Sequence, residues 1–223
     1  MTDRPGVVVF DVNETLSDLA PLADRFVEVG APGHLASTWF ASVLRDGFGR
    51  TAAGAPAPFA DVAAGVLRTV LAGAGVPSLD AAVASVMTAF TSLAVHPDVP
   101  DGVRALHSAG LRLVTLTNGS VDVSAGLLGR AGIRREFEQL LSVEDAGAWK
   151  PARAAYEYAV RQCAASPGDL LLVAVHPWNI DGAARAGLRT AWVDRERSPY
   201  PAHLTPPELT VSGIDDLARR LDG

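Results

Sequence analysis

Val7-Val8-Val9-Phe10 is an unbroken apolar run that stops abruptly at Asp11. Apolar residues without alternation fit a parallel strand buried on both faces. Runs of the same kind return at 111–116, 170–175 and 190–193, with a short fifth at 209–211. Helical patterns lie between them, near 100–109, 121–131, 151–164, 180–187 and 213–221. Strands alternating with helices predict an α/β fold built on a doubly wound parallel sheet.

One region breaks the alternation. Residues 17–93 hold no convincing strand and several Ala-rich helical patterns, at 20–29, 35–46, 59–74 and 79–93. The Gly- and Pro-rich stretch 51–58 reads as a flexible loop among them. The expected organisation is an α/β core from 1–16 and 94–223, with 17–93 inserted as a helical cap. A chain of 223 residues suits one domain with a sizeable insertion, or two small ones.

Composition narrows the partners. A formal charge of −6 argues against a general nucleic-acid binder, which needs a basic face, but not against a small anionic substrate. The one cysteine, Cys163, allows no intrachain disulfide and fits a reducing compartment. No stretch approaches the roughly 18 uncharged apolar residues of a membrane span, and the run before Asp11 is too short for a signal peptide. A cytoplasmic protein that does not engage membranes is expected.

Polar residues follow the strand runs: Asp11, Thr117-Asn118-Gly119-Ser120, His176-Pro177-Trp178-Asn179 and Asp194. Lys150 joins them if 142–143 form another short strand. Open parallel sheets bind ligands beyond the carboxyl ends of their strands, so these residues are the candidate site. Asp11 reads as a nucleophile, with a helix cap or turn as the plainer alternative. A carboxylate becomes a useful nucleophile when desolvated, aimed and held beside a cation. Lys150, the only lysine among 19 lysines and arginines, would be that cation unless it is a solvated surface group. Thr15 and Thr117 offer hydroxyls, Asn118 an amide, and Ser120 with nearby N–H groups an oxyanion site. Thr15 serves equally well as a cap of the following helix. No pair among His96, His107, His176 and His203 has metal-ligand spacing.

Asp11-Val12-Asn13-Glu14-Thr15-Leu16 resembles the first motif, Asp-x-x-x-Thr-Leu, of the haloacid dehalogenase superfamily. Thr117-Asn118-Gly119-Ser120, Lys150-Pro151 and the 176–181 loop resemble its second, third and fourth motifs, in order along nearly the whole chain. The resemblance implies a Rossmann-like core with an inserted cap. Phosphatases of the superfamily carry a second aspartate two residues after the nucleophile and acidic residues in the fourth motif that hold Mg²⁺. Here those positions hold Asn13, which cannot exchange a proton at neutral pH, and Asn179. Asp181 alone is a thin addition to Asp11 for a cation that wants octahedral oxygen ligands.

The chain looks more like the type II, L-2-haloacid dehalogenases, which need no metal or cofactor. In these the aspartate displaces halide from a 2-haloacid, and water then hydrolyses the ester to a 2-hydroxyacid. By this resemblance Arg45 meets the halide or carboxylate, although an exposed helix end is its bland alternative and Arg50 and Arg68 compete for the role. Tyr156 points back from its helix, and Trp178, His176, Val12 and Asn13 lie beside the substrate. Aligned through Trp178, the Ser, Asn and Asp of that family's fourth loop become Ala174, His176 and Asn179. Asn179 then stands where the family's water-orienting aspartate is, with Asp181 as a substitute, and Asn179→Asp is expected to raise turnover. The resemblance also suggests a homodimer. A Mg²⁺-dependent phosphatase, or a binding homologue with weakened catalysis, are the alternatives.

Overall fold

The computed structural model describes residues 4–222. Strands β1 (Val7–Phe10), β2 (Arg112–Thr117), β3 (Gln139–Ser142), β4 (Leu170–Ala174), β5 (Arg189–Val193) and β6 (Leu209–Val211) form one sheet. Its order is β3-β2-β1-β4-β5-β6, and every adjacent pair is parallel. Helices α1 (Leu22–Glu28), α2 (Leu35–Ala52), α3 (Phe59–Gly73) and α4 (Leu79–Thr91) lie between β1 and the rest of the sheet. They are followed by α5 (Val99–Ser108), α6 (Val121–Arg130), α7 (Arg153–Cys163), α8 (Pro177–Arg185) and α9 (Ile214–Asp222).

Every residue of β1 is buried, because successive side chains point to opposite covered faces. Val8 and Phe10 pack with α5 and α9, whereas Val7 and Val9 share a core with α7, α8 and the α1–α4 segment. β1 sits between β2 and β4, where the winding reverses, and such a switch point opens a crevice at the strand ends. The Asp11 N–H donates to the Val173 carbonyl at 3.0 Å, extending the ladder one residue past β1. That bond fixes the Asp11 side chain at the mouth of the crevice.

Three elements differ from the sequence reading, each for a packing reason. α2 was expected to end at 46 but continues through Gly47 and Gly49 to Ala52. Glycine costs helix propensity, yet a Cβ at Gly47 would lie 2.1 Å from the Trp149 ring. Close approach outweighs propensity there. Trp149 also donates from its indole to the Ala57 carbonyl at 2.9 Å, so the residue before Lys150 is tied to the inserted segment. α8 starts at Pro177, not near 180, because proline at the first helical position lacks only an N–H that would be unpaired anyway. β3 occupies Gln139–Ser142, earlier than the expected 142–143. Among the described residues no helix is long and apolar enough to cross a membrane.

Candidate active site

Asp11 is 4% exposed, and three polar side chains meet its carboxylate. Lys150 Nζ donates to Oδ1 at 2.7 Å. The Thr15 hydroxyl donates to Oδ2 at 2.8 Å, and His176 Nδ1 lies 3.1 Å from the same oxygen. Thr15 is itself fixed, since its Oγ1 accepts the Val175 N–H at 3.1 Å. Its hydroxyl thus bridges Asp11 and Val175, and since the next helix starts only at Leu22 it is not the helix cap that the sequence also allowed.

Lys150 is wholly buried and also donates to the Leu116 carbonyl. Its backbone is clamped by Asn118, whose Oδ1 accepts the Lys150 N–H at 2.9 Å and whose Nδ2 donates to the Lys150 carbonyl at 3.4 Å. The second motif therefore holds the third in place. Burial alone would push the Asp11 carboxyl up, but the charges and hydrogen bonds of Lys150 and His176 hold it well below the usual carboxylate range. Burial pulls Lys150 below its ordinary value, with Asp11 pulling the other way.

His176 closes the other side. Its Nε2 lies 2.7 Å from Glu14 Oε2, so a carboxylate faces each ring nitrogen. Burial would lower its pKa, but Asp11 and Glu14 outweigh that and raise it to about 9. The ring is flanked by Phe40, at 6.3 Å and 26°, and by Trp178, at 5.0 Å and 31°. Glu14 was not singled out from the sequence. Its backbone takes the left-handed conformation, φ 61°, and its carbonyl contacts His96 Nε2 at 3.0 Å. Only its place inside the Asp-x-x-x-Thr loop could have flagged it.

Tyr156 is fully buried and donates to Asn179 Oδ1 at 2.8 Å. Burial first, then the charges of Asp11 and Asp181, hold its hydroxyl well above its ordinary pKa, so it stays a donor. The Asn179 Nδ2 is buried with no hydrogen-bond partner. Two residues on, Asp181 turns to other partners, Arg185 Nε at 2.8 Å and Thr205 Oγ1 at 2.6 Å. Hydrogen bonds from Arg185 and Thr205 lower its pKa to about 2. Arg45 also stays apart: its side chain is 71% exposed and pairs with Asp46 at 2.8 Å, as an exposed helix position would. Arg50 is exposed, and Arg68 pairs with Asp80 on the surface.

Two cavities flank these groups. A small one, about 50 Å³, is lined by Val12, Asn13, Thr117, Gly119, Ser120 and Phe59. A larger one, about 740 Å³, reaches Glu14, His176, Phe40 and Arg195. Arg195, also missed in the sequence, braces the loop by donating to the Thr15 carbonyl at 2.9 Å and to Asp98 at 2.8 Å. A buried, ionised carboxylate beside a lysine, at a crevice with a small cavity, can attack an electrophilic carbon or phosphorus.

The model of the haloacid dehalogenase-like hydrolases matches residues 5–187. Haloacetate dehalogenase H-2 of Moraxella sp. (strain B) is 32% identical over 128 residues, a match spanning 57% of this chain and 57%, little more than half, of that protein. The (S)-2-haloacid dehalogenase of Pseudomonas sp. (strain YL) is 28% identical over 93% of this chain and 90% of its own. Among solved structures, L-2-haloacid dehalogenase RSc1362 superposes with a TM-score of 0.93 at 28% identity, covering 99% of this chain and 100% of that one.

Proposed function

The chain belongs to the haloacid dehalogenase-like hydrolases, and on that premise we propose that it is a metal-independent hydrolase of small 2-haloacids. Asp11 attacks the halogen-bearing carbon. The carbon–halogen bond breaks, halide leaves with the electron pair, and an ester forms on Asp11. Water hydrolyses that ester to the 2-hydroxyacid and restores the carboxylate. The observation that carries this reading is the buried Asp11–Lys150 pair at 2.7 Å. It keeps the nucleophile ionised and dry without a metal. Asn13 supports it, because halide departs without a proton whereas an alkoxide leaving from phosphorus needs an acid.

The same reading makes Lys150 the counter-cation and Thr15 the group that orients Asp11. Thr117, Asn118, Val12 and Asn13 form the side of the site where the substrate's carboxylate would meet N–H and O–H donors. Residues 17–93 serve as a cap on a core of 1–16 and 94–223. The protein would work in the cytoplasm, as a homodimer if it follows the family resemblance. Mg²⁺, which phosphatases of this fold use, does not fit the donor set. Both Asp11 oxygens face cationic groups, Lys150 on one and His176 on the other, and a dication there would meet their charge.

The test is incubation with 2-chloropropionate in the presence of a chelator. Chloride release and a mass increment on Asp11 are expected, both abolished in Asp11→Asn. Absence of chloride and adduct, with Mg²⁺-dependent hydrolysis of p-nitrophenyl phosphate, would overturn the reading. Asn179→Asp is expected to lower turnover, contrary to the motif comparison. The position is fully buried, with the Tyr156 hydroxyl on Oδ1, so a carboxylate there would be costly to ionise. Steady-state chloride release by the purified variant measures the effect.

A further inference from the structure

We infer that His176, held in place by Glu14, takes up the negative charge that develops on Asp11 Oδ2 when water attacks the Asp11 ester. This rests on the ester reading above and adds a catalytic residue to it.

The two Asp11 oxygens are not equivalent. Oδ2 meets both the Thr15 hydroxyl, at 2.8 Å, and His176 Nδ1, at 3.1 Å. Oδ1 meets Lys150 Nζ at 2.7 Å. Oδ1 thus keeps a lone pair for attack, and Oδ2 becomes the carbonyl oxygen of the ester. Donors aimed at that oxygen act on the second half of the reaction.

Hydrolysis then balances as follows. The water oxygen bonds to Asp11 Cγ, and the electrons of the Cγ–Oδ2 double bond move onto Oδ2, where His176 and Thr15 donate to it. The double bond re-forms, the Cγ–Oδ1 bond breaks, and the 2-hydroxyacid leaves as an alkoxide. One proton of the water passes to that alkoxide. The other goes to solvent as Asp11 ionises again. His176 keeps its proton throughout.

Glu14 is the positioning residue. Its Oε2, 2.7 Å from His176 Nε2, supplies an acceptor and a negative charge on the side of the ring away from Asp11. Phe40 and Trp178 hold the ring plane. Asp11 and Glu14 together raise His176 to about 9, and Glu14 remains to hold the proton once alkylation has neutralised Asp11. An imidazolium stabilises the free carboxylate and so restrains alkylation. It stabilises the oxyanion and so favours hydrolysis. Other charged or titratable groups face the same region: Lys150 beyond Asp11, and Asp18, His34, His96, Asp194, Arg195 and Glu196 around the larger cavity.

The experiment mixes wild type, His176→Phe and Glu14→Gln with 2-chloropropionate, quenches, and reads chloride and intact mass. Phenylalanine preserves the aromatic stack and removes both N–H groups. In His176→Phe a chloride burst of about one per site is expected to persist. The Asp11 ester should accumulate, its hydrolysis slower by about 10²–10³, the usual loss for one oxyanion donor. In Glu14→Gln, a change at a partly exposed position, the alkaline fall of hydrolysis should move to lower pH, because its partner charge on His176 is gone. A His176→Phe enzyme that hydrolyses its ester at the wild-type rate, or a Glu14→Gln profile with an unmoved alkaline limb, would overturn the inference alone. Wild-type protein that releases no chloride would overturn the ester reading and this inference with it.

Discussion

Lys150→Met is expected to lose both stability and alkylation, because it leaves the Asp11 charge buried and half-paired. Lys150 is fully buried and Asp11 nearly so, with 2.7 Å between Nζ and Oδ1. Removing one partner of such a pair costs about 3–5 kcal/mol, since the other cannot be rehydrated. Methionine fills most of the lysine stem, so little of that cost comes from lost volume. The Asp11 pKa, now held low by Lys150 first and His176 second against burial, should rise, leaving a smaller ionised fraction to attack. Asp11→Asn should abolish alkylation outright and strand the lysine in turn. The double variant, Asp11→Asn with Lys150→Met, should be less destabilised than the two single losses summed, because no unpaired charge remains. Urea unfolding of the three variants measures this. Additive losses would show that the pair is not coupled and that Lys150 is held by packing alone.

His176 should make stability fall with pH in a defined window. Its folded pKa is raised to about 9 from an ordinary 6.5. A raised pKa means that the folded state holds the proton more tightly than the unfolded state does. The resulting stabilisation is complete below 6.5 and is lost as pH rises through about 9. A shift of that size corresponds to roughly 3 kcal/mol. His96 does not confuse the window. Burial first, then Arg195, depress its pKa, so its stability contribution changes only below its ordinary value. Asp11, also depressed, changes only in strong acid. Wild-type protein unfolded in urea at about pH 7 and again above about pH 9 should show the loss, and His176→Phe should show much less of it. Equal slopes in the two proteins would mean that the two carboxylates do not hold a charged imidazole.

Much of the frame was legible in the sequence. Buried parallel strands must be continuous apolar runs, so β1, β2, β4 and β5 announced themselves, and helical spacing gave the segment after β1. Strand-end polarity then drew attention to Asp11, Thr117, Asn118, His176 and Lys150, and the structure brings these together. The elements misjudged were those settled by contact. α2 runs past its glycines because Gly47 lies against Trp149. Arg45 carries the right charge on the right segment but faces outward toward Asp46, because side-chain direction depends on helix rotation and not on residue type.

What the sequence determined alone was the order of the strands and helices and the presence of a carboxylate at the end of the first strand. Periodicity and burial are local consequences of composition along the chain, so they can be read without coordinates. Tertiary structure decided which groups meet that carboxylate. Lys150 reaches it across 139 positions, His176 across 165, and Glu14 closes on His176 across 162. Such pairings depend on sheet order and on a left-handed turn at Glu14, and the chain states neither in its spacing. Only once they are made do the two oxygens of Asp11 become different, one facing a lysine and the other a histidine.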